Sequence, residues 1–141
     1  MARKSLLKSF QRPASNAAAA PANELMLLAE TARRAGRSDI AERGYRGVRR
    51  RFAAASEAEQ ATFLLARLVA KQGRAPEADA LFEEYARRAP NGVFAEEAAG
   101  RLLERAVVRG DRPRTRDLAK SYLERFPRRA SADLARSLLL P

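Results

Sequence analysis

Gly73-Arg74-Ala75-Pro76-Glu77-Ala78-Asp79-Ala80-Leu81-Phe82-Glu83-Glu84-Tyr85-Ala86-Arg87-Arg88-Ala89-Pro90 is the stretch whose reading decides the fold. Gly73 suits the left-handed turn that ends one helix, and Pro76 stands where the first turn of the next tolerates it. Ala78, Phe82 and Tyr85 then share a helical face, and Pro90 stops the helix. Weaker copies flank this unit. Its glycine recurs as Gly36 and Gly110, 37 residues away on either side. A fixed period in this range marks an array of stacked supersecondary units. Eight residues before each glycine stands Leu28, Leu65 or Leu102, and four before it Ala32, Val69 or Ala106. At offsets 5, 9, 12 and 17 after the glycines the copies read Ala41-Tyr45-Val48-Ala53, Ala78-Phe82-Tyr85-Pro90 and Thr115-Ala119-Tyr122-Pro127. The physical reading is a helical hairpin in which a small residue lets two backbones approach and aromatics fill the gap to the next copy. One such hairpin cannot bury its own face, so the copies must stack.

The boundaries follow from the punctuation. Hairpins are expected at about 23–53, 56–90 and 93–127, with an end helix at 130–140, all in one repeat domain from 23 to 141. Asn23 is the expected N-cap of the first helix, and Ser131 that of the last. Ser56 with Glu59 three residues on reads as a capping box. Gly44 and Gly47 interrupt the second helix, at about 1 kcal/mol each relative to alanine. Residues 1–22 carry Arg3, Lys4, Lys8 and Arg12 with no acid, followed by an Ala/Pro spacer. They read as a disordered basic tail, with a short membrane or nucleic-acid tether through Leu6, Leu7 and Phe10 as the alternative.

Composition narrows the function. The 141 residues contain no Cys and no His, which removes disulfides, the usual zinc sites and His-based acid–base chemistry. Aromatics are 6% against 46% apolar residues overall, and alanine supplies much of the latter, which favours closely packed helices. Net charge is +11, nearly all of it from arginine. That balance admits an acidic protein, nucleic acid or an anionic surface as partner, and GC-rich coding produces the same Arg/Ala bias. No apolar run reaches the length of a membrane span, and the basic start lacks the continuous apolar core of a signal peptide. The chain as written is expected in the cytoplasm, or in the periplasm if it is part of a longer envelope protein. Neighbouring carboxylates such as Glu83-Glu84 and Glu96-Glu97 point in different directions on a helix, and no phosphate-loop, dinucleotide-binding or nucleophile-elbow sequence is present. An enzyme is therefore not expected, nor a cofactor or metal.

The pattern small–aromatic–aromatic–Pro at spacings 4, 3 and 5, preceded by Leu65-Ala66 and a turn glycine, resembles the tetratricopeptide repeat. The likeness covers about residues 24–127. It departs at Ala53, where proline is the family residue, and at Thr115 and Ala119. The joints 89–94 and 127–131 are longer than in that repeat and are similar to those of bacterial envelope proteins and of repeat tails on anti-sigma regulators. The resemblance implies an all-α, right-handed α-solenoid of about three hairpins with a closing helix, whose first helices line a concave groove. That groove would carry Asn23, Met26, Glu30, Arg33 and Arg34, then Gln60, Phe63, Arg67 and Lys71, then Glu97 with Gly100, Glu104, Val107 and Val108.

Two functions are expected from this surface. The first is a non-catalytic scaffold for a peptide or partner domain with acidic or carboxylate groups, which arginine grips in bidentate fashion. The second is binding of nucleic acid or another polyanion through Arg43, Arg46, Arg49, Arg50 and Arg51, and through Arg109, Arg112, Arg114 and Arg116. Leu138, Leu139 and Leu140 would either fold back on the last hairpin or make a homotypic contact.

Overall fold

The computed structural model describes residues 19–141, which are all-α, with seven helices and no strand among them. These are α1 (Ala19–Arg34), α2 (Ser38–Arg51), α3 (Ser56–Lys71), α4 (Ala75–Arg88), α5 (Ala95–Arg109), α6 (Arg112–Arg125) and α7 (Ala132–Leu138). The expected basic tail, with its tether alternative at Leu6, Leu7 and Phe10, lies outside the described residues. The first helix begins four residues before Asn23, which is an exposed helical residue and not a cap. Pro21 falls in its first turn, where the missing amide has no partner to lose.

The three turns are built alike. Gly36, Gly73 and Gly110 have φ of 77°, 79° and 72°. The Arg37 amide donates to the Ala32 carbonyl (2.8 Å) and the Gly36 amide to that of Arg33 (3.0 Å). The same two bonds recur as Arg74 to Val69 and Gly73 to Ala70, and as Asp111 to Ala106 and Gly110 to Val107. This paired closure satisfies helix-end carbonyls only when the residue after the helix takes left-handed dihedrals. A Cβ at any of the three glycines would meet nothing within 4 Å, so backbone sign and not space demands glycine. The repeat columns are buried as a set: Ala41, Ala78 and Thr115; Tyr45, Phe82 and Ala119; Val48, Tyr85 and Tyr122. Ala53, Pro90 and Pro127 are exposed, so that column ends helices and does not pack.

The described residues fall into two compact units, one ending at Leu81 and the other running Phe82–Pro141. In the first, α2 packs against both α1 and α3, and α1 also touches α3. Leu25, Tyr45, Val48, Phe63, Leu65 and Val69 form its fully buried centre. Gly44 and Gly47 are buried too. A Cβ on Gly47 would sit 3.4 Å from Leu25 Cδ2, so glycine brings α2 close to α1. The Ser56 capping box is absent. Ala55 is the N-cap without a side-chain bond, and the Ser56 hydroxyl lies 3.4 Å from the Glu57 carboxylate.

In the second unit α6 packs against α5 and α7 around Leu103, Ala119, Tyr122, Ala132 and Ala135. Two buried tyrosines tie the joints to their helices. The Tyr85 hydroxyl accepts the Phe94 amide at 2.9 Å, and Tyr122, one repeat later, accepts that of Ser131 at 3.0 Å. Tyr122 also donates to Glu96 at 2.6 Å. Ser131 caps α7 without a side-chain bond, whereas Asp111 caps α6 by accepting the Arg114 amide at 3.1 Å. Leu138 and Leu139 pack against the core, and Leu140 stays 69% exposed. Two of the three leucines proposed for a homotypic contact are thus used within the unit.

The glycines make opposite predictions. Gly47→Ala brings Cβ into ordinary contact while adding helix propensity, so a gain of up to about 1 kcal/mol is expected in chemical unfolding. Gly92→Ala drives its Cβ into the Tyr85 hydroxyl and should cost about 1–3 kcal/mol.

Candidate functional site

The outward side of α3 is one narrow stripe. Gln60, Leu64, Arg67 and Lys71 are half-buried or exposed, while Ala58, Ala61, Thr62, Phe63, Leu65, Ala66, Leu68 and Val69 are buried around the rest of the helix. Residues at spacings of four, three and four share a face, and Phe63 lies about 70° round from it. Phe63 is fully buried and therefore does not belong to the groove expected from sequence. Met26, one repeat earlier at the same position, is buried as well, and so is Gly100 one repeat later. The expected face was set one residue off. The outward column is Leu27, Leu64 and Arg101, with Leu27 63% exposed.

Three of the expected residues do meet. Arg33 from the end of α1, with Arg67 and Lys71 from α3, lines a pocket of ≈130 Å³ together with Ser38, Leu64 and Leu68. Leu64 and Leu68 form its apolar side, and the Ser38 hydroxyl stands at the start of α2. Arg67 and Lys71 have no acidic partner among the described residues. Arg33 is anchored by the Glu30 carboxylate (3.1 Å), which also accepts the buried Tyr45 hydroxyl. Burial alone would raise the Glu30 carboxyl, but the bonds from Arg33 and Tyr45 outweigh it and hold the group below its usual range. Burial, reinforced by that carboxylate, pushes the Tyr45 hydroxyl well up, so tyrosine remains a donor. Asn23 and Arg34 are exposed on α1 and Gln60 is half-buried on α3, and none of them lines the pocket. Leu64, Leu68 and Ser38 were missed. Leu64 was legible from its spacing to Gln60 and Arg67, but Ser38 comes from another helix.

The second unit carries the remaining expected residue on a surface of its own. Glu97, Arg101 and Glu104 of α5 line a shallow pocket of ≈300 Å³ with Glu96, Gly100, Ala130 and Ser131. Arg101 pairs with Glu97 at 3.2 Å and lies 5.5 Å over the Phe82 ring, so the face is acidic with its one guanidinium engaged. Val107 and Val108 are exposed beside it.

The arginines expected to serve a polyanion are largely occupied. Arg46 bonds Glu42 (2.9 Å) and Glu77 (2.8 Å), and Arg74 bonds the same two carboxylates (2.8 and 2.5 Å). This closes a neutral ring of four charges between α2 and the start of α4. Arg49 donates to Thr62 (2.9 Å), and Arg51 is half-buried. In the other cluster Arg114 pairs with Glu83 at 3.2 Å. Among the described residues no group of His, Cys, Asp or Glu gathers for a metal, and no helix is long and apolar enough to cross a membrane. No protein-family model matches the chain, and comparison with curated proteins finds no match either.

The charge ring sets a pH dependence. The Arg74 bond chiefly lowers the Glu42 carboxyl, and the Arg46 bond that of Glu77, from the ordinary 4.5. A carboxylate lowered in the folded state stabilises fully above its unfolded value and loses that contribution as pH falls through the folded one. Wild-type Tm should therefore fall on acidification below pH 4.5. The Glu42→Gln/Glu77→Gln variant should start lower at neutral pH and fall less. Parallel curves in a thermal scan would show that the ring does not control this dependence.

Proposed function

We propose that the chain is a non-catalytic protein-interaction module, a tetratricopeptide-like solenoid of helical hairpins that takes an acidic peptide segment on its first-helix surface. The observation that carries the reading is the pocket of Arg33, Arg67 and Lys71 over Leu64 and Leu68. The Glu30 carboxylate is already engaged by Arg33 and Tyr45, and Arg67 and Lys71, without an acidic partner among the described residues, can receive carboxylates. Guanidinium binds carboxylate in a planar fork, and the leucines beneath exclude water from the contact. The repeat acts as an internal control. Position 67 is Glu30 one copy earlier and Glu104 one copy later, so hairpin packing does not call for a cation there. Three turns closed by the same glycine geometry 37 residues apart, with the same small and aromatic columns buried, support the repeat reading.

The polyanion alternative has less support, because Arg46, Arg49 and Arg114 are committed to partners within the protein. Among the described residues no aromatic ring is fully exposed to stack on a base.

Fluorescence anisotropy with a synthetic peptide of alternating glutamate and leucine, and with a single-stranded RNA of equal charge, tests the reading. Wild type should prefer the peptide, and Arg33→Glu/Arg67→Glu/Lys71→Glu should weaken peptide binding by at least about tenfold with an unchanged helical circular dichroism spectrum. Undiminished peptide binding by the triple variant, or tighter binding of RNA, would exclude this pocket as the site.

A further inference from the structure

A cavity of the second unit lies between the two joints that precede α5 and α7. It has a volume of ≈560 Å³, within the usual range of ligand sites. One wall is the 91–93 joint, with Val93 79% exposed, and the other is Arg125 to Arg129. The frame is held from several sides. Arg125 donates to the Pro90 carbonyl across the cleft and stacks 4.8 Å over the Phe126 ring. Phe126 in turn packs against Tyr122, ring centres 5.4 Å apart, and the Tyr122 hydroxyl occupies Glu96, the one acid in the lining.

The side chains of Arg128 and Arg129 have no part in this frame. Both are exposed, without an acidic partner among the described residues. The other copies show what the joint itself requires: the equivalent positions are Asn91-Gly92 in one and Ala54-Ala55 in the other. Small or turn-forming residues thus suffice for the backbone, and paired guanidinium groups in a cleft that also holds Val93 and Phe126 are an addition to it.

We infer that this joint cleft is a second binding site, for an acidic peptide segment that carries a large apolar side chain beside its carboxylates. The carboxylates pair with Arg128 and Arg129, and the apolar side chain lies against Val93 and the edge of Phe126. A nucleic acid fits less well. One side of the Phe126 ring faces Tyr122 and the Arg125 guanidinium stacks on it, so it offers no free platform to a base. A sugar–phosphate chain also has nothing to place on Val93. The cleft is independent of the Arg33–Arg67–Lys71 pocket and stands or falls separately from the function proposed for it.

The test uses the full chain carrying Arg67→Glu and Lys71→Glu, so that the other pocket is silenced. The probes are a labelled peptide alternating glutamate with leucine, its counterpart with serine for leucine, and a single-stranded RNA of equal charge, all at about 0.15 M salt. The leucine peptide should still bind, and should bind better than the other two. Adding Arg128→Glu and Arg129→Glu should weaken it by at least about tenfold. Val93→Ser should weaken the leucine peptide about fivefold and leave the serine peptide unchanged. Both joint variants keep small or polar side chains at exposed positions, and circular dichroism checks their folding. The site is excluded if charge reversal at Arg128 and Arg129 changes nothing. Its assignment to a peptide is excluded if the serine peptide or the RNA binds as tightly as the leucine peptide. Loss of all peptide binding in the Arg67→Glu/Lys71→Glu background would overturn the cleft and leave the first pocket standing.

Discussion

Every turn that reverses the chain between paired helices depends on one backbone constraint, a glycine at φ near +75°. Left-handed dihedrals there let two amides reach back to the last turn, so the helix ends with its carbonyls satisfied and the next helix starts two residues later. A side chain at that position costs about 1–2 kcal/mol by sterics with its own backbone. Because the closure recurs at a fixed interval, the residues at set distances after each glycine land on the same face of each following helix. The buried columns at Ala41, Tyr45 and Val48 and at their counterparts are a consequence of this register.

The buried tyrosine hydroxyls extend the same order into the joints. Tyr85 and Tyr122 each hold an amide nine residues ahead, at the point where the chain enters the next helix. A hydroxyl inside an apolar core needs a partner, and an irregular joint needs its amides satisfied, so each settles the other's requirement. Gly92 accommodates the first of these contacts, since a methyl group there would occupy the space of the Tyr85 hydroxyl. In the first unit the corresponding residue is Val48, and Tyr45 instead donates to Glu30, which anchors Arg33. Two copies therefore use a tyrosine to hold a joint, and the first uses one to hold a charged side chain beside the candidate pocket.

A net charge of +11 says little by itself about where a partner binds. Arg46 and Arg74 are balanced by Glu42 and Glu77 in a closed ring, and Arg101 and Arg114 by single glutamates. Among the described cations without an acidic partner, Arg67 with Lys71 and Arg128 with Arg129 each stand next to apolar side chains. Exposed ion pairs add little stability in high dielectric, so their larger effect here is to remove charge from some surfaces and leave it on others.

Periodicity alone made the helices, their glycine turns and the buried columns legible, because those depend on residues a few positions apart in one chain. The same reasoning put Arg33, Arg67 and Lys71 on one expected face, and these three line one pocket. It failed at Phe63 and Met26, where one step round a helix separates a groove from a core, and pattern does not tell which side the neighbouring helices cover. It likewise set Arg46 on a surface for a polyanion. The approach of α1 to Gly47, and the reach of Arg46 to Glu77 on a helix 31 residues on, are set by contacts distant in sequence. The sequence determined the repeat and its turns through local backbone chemistry. Only the tertiary structure decided which cations remain available, because that depends on where packed helices bring opposite charges within a few ångströms.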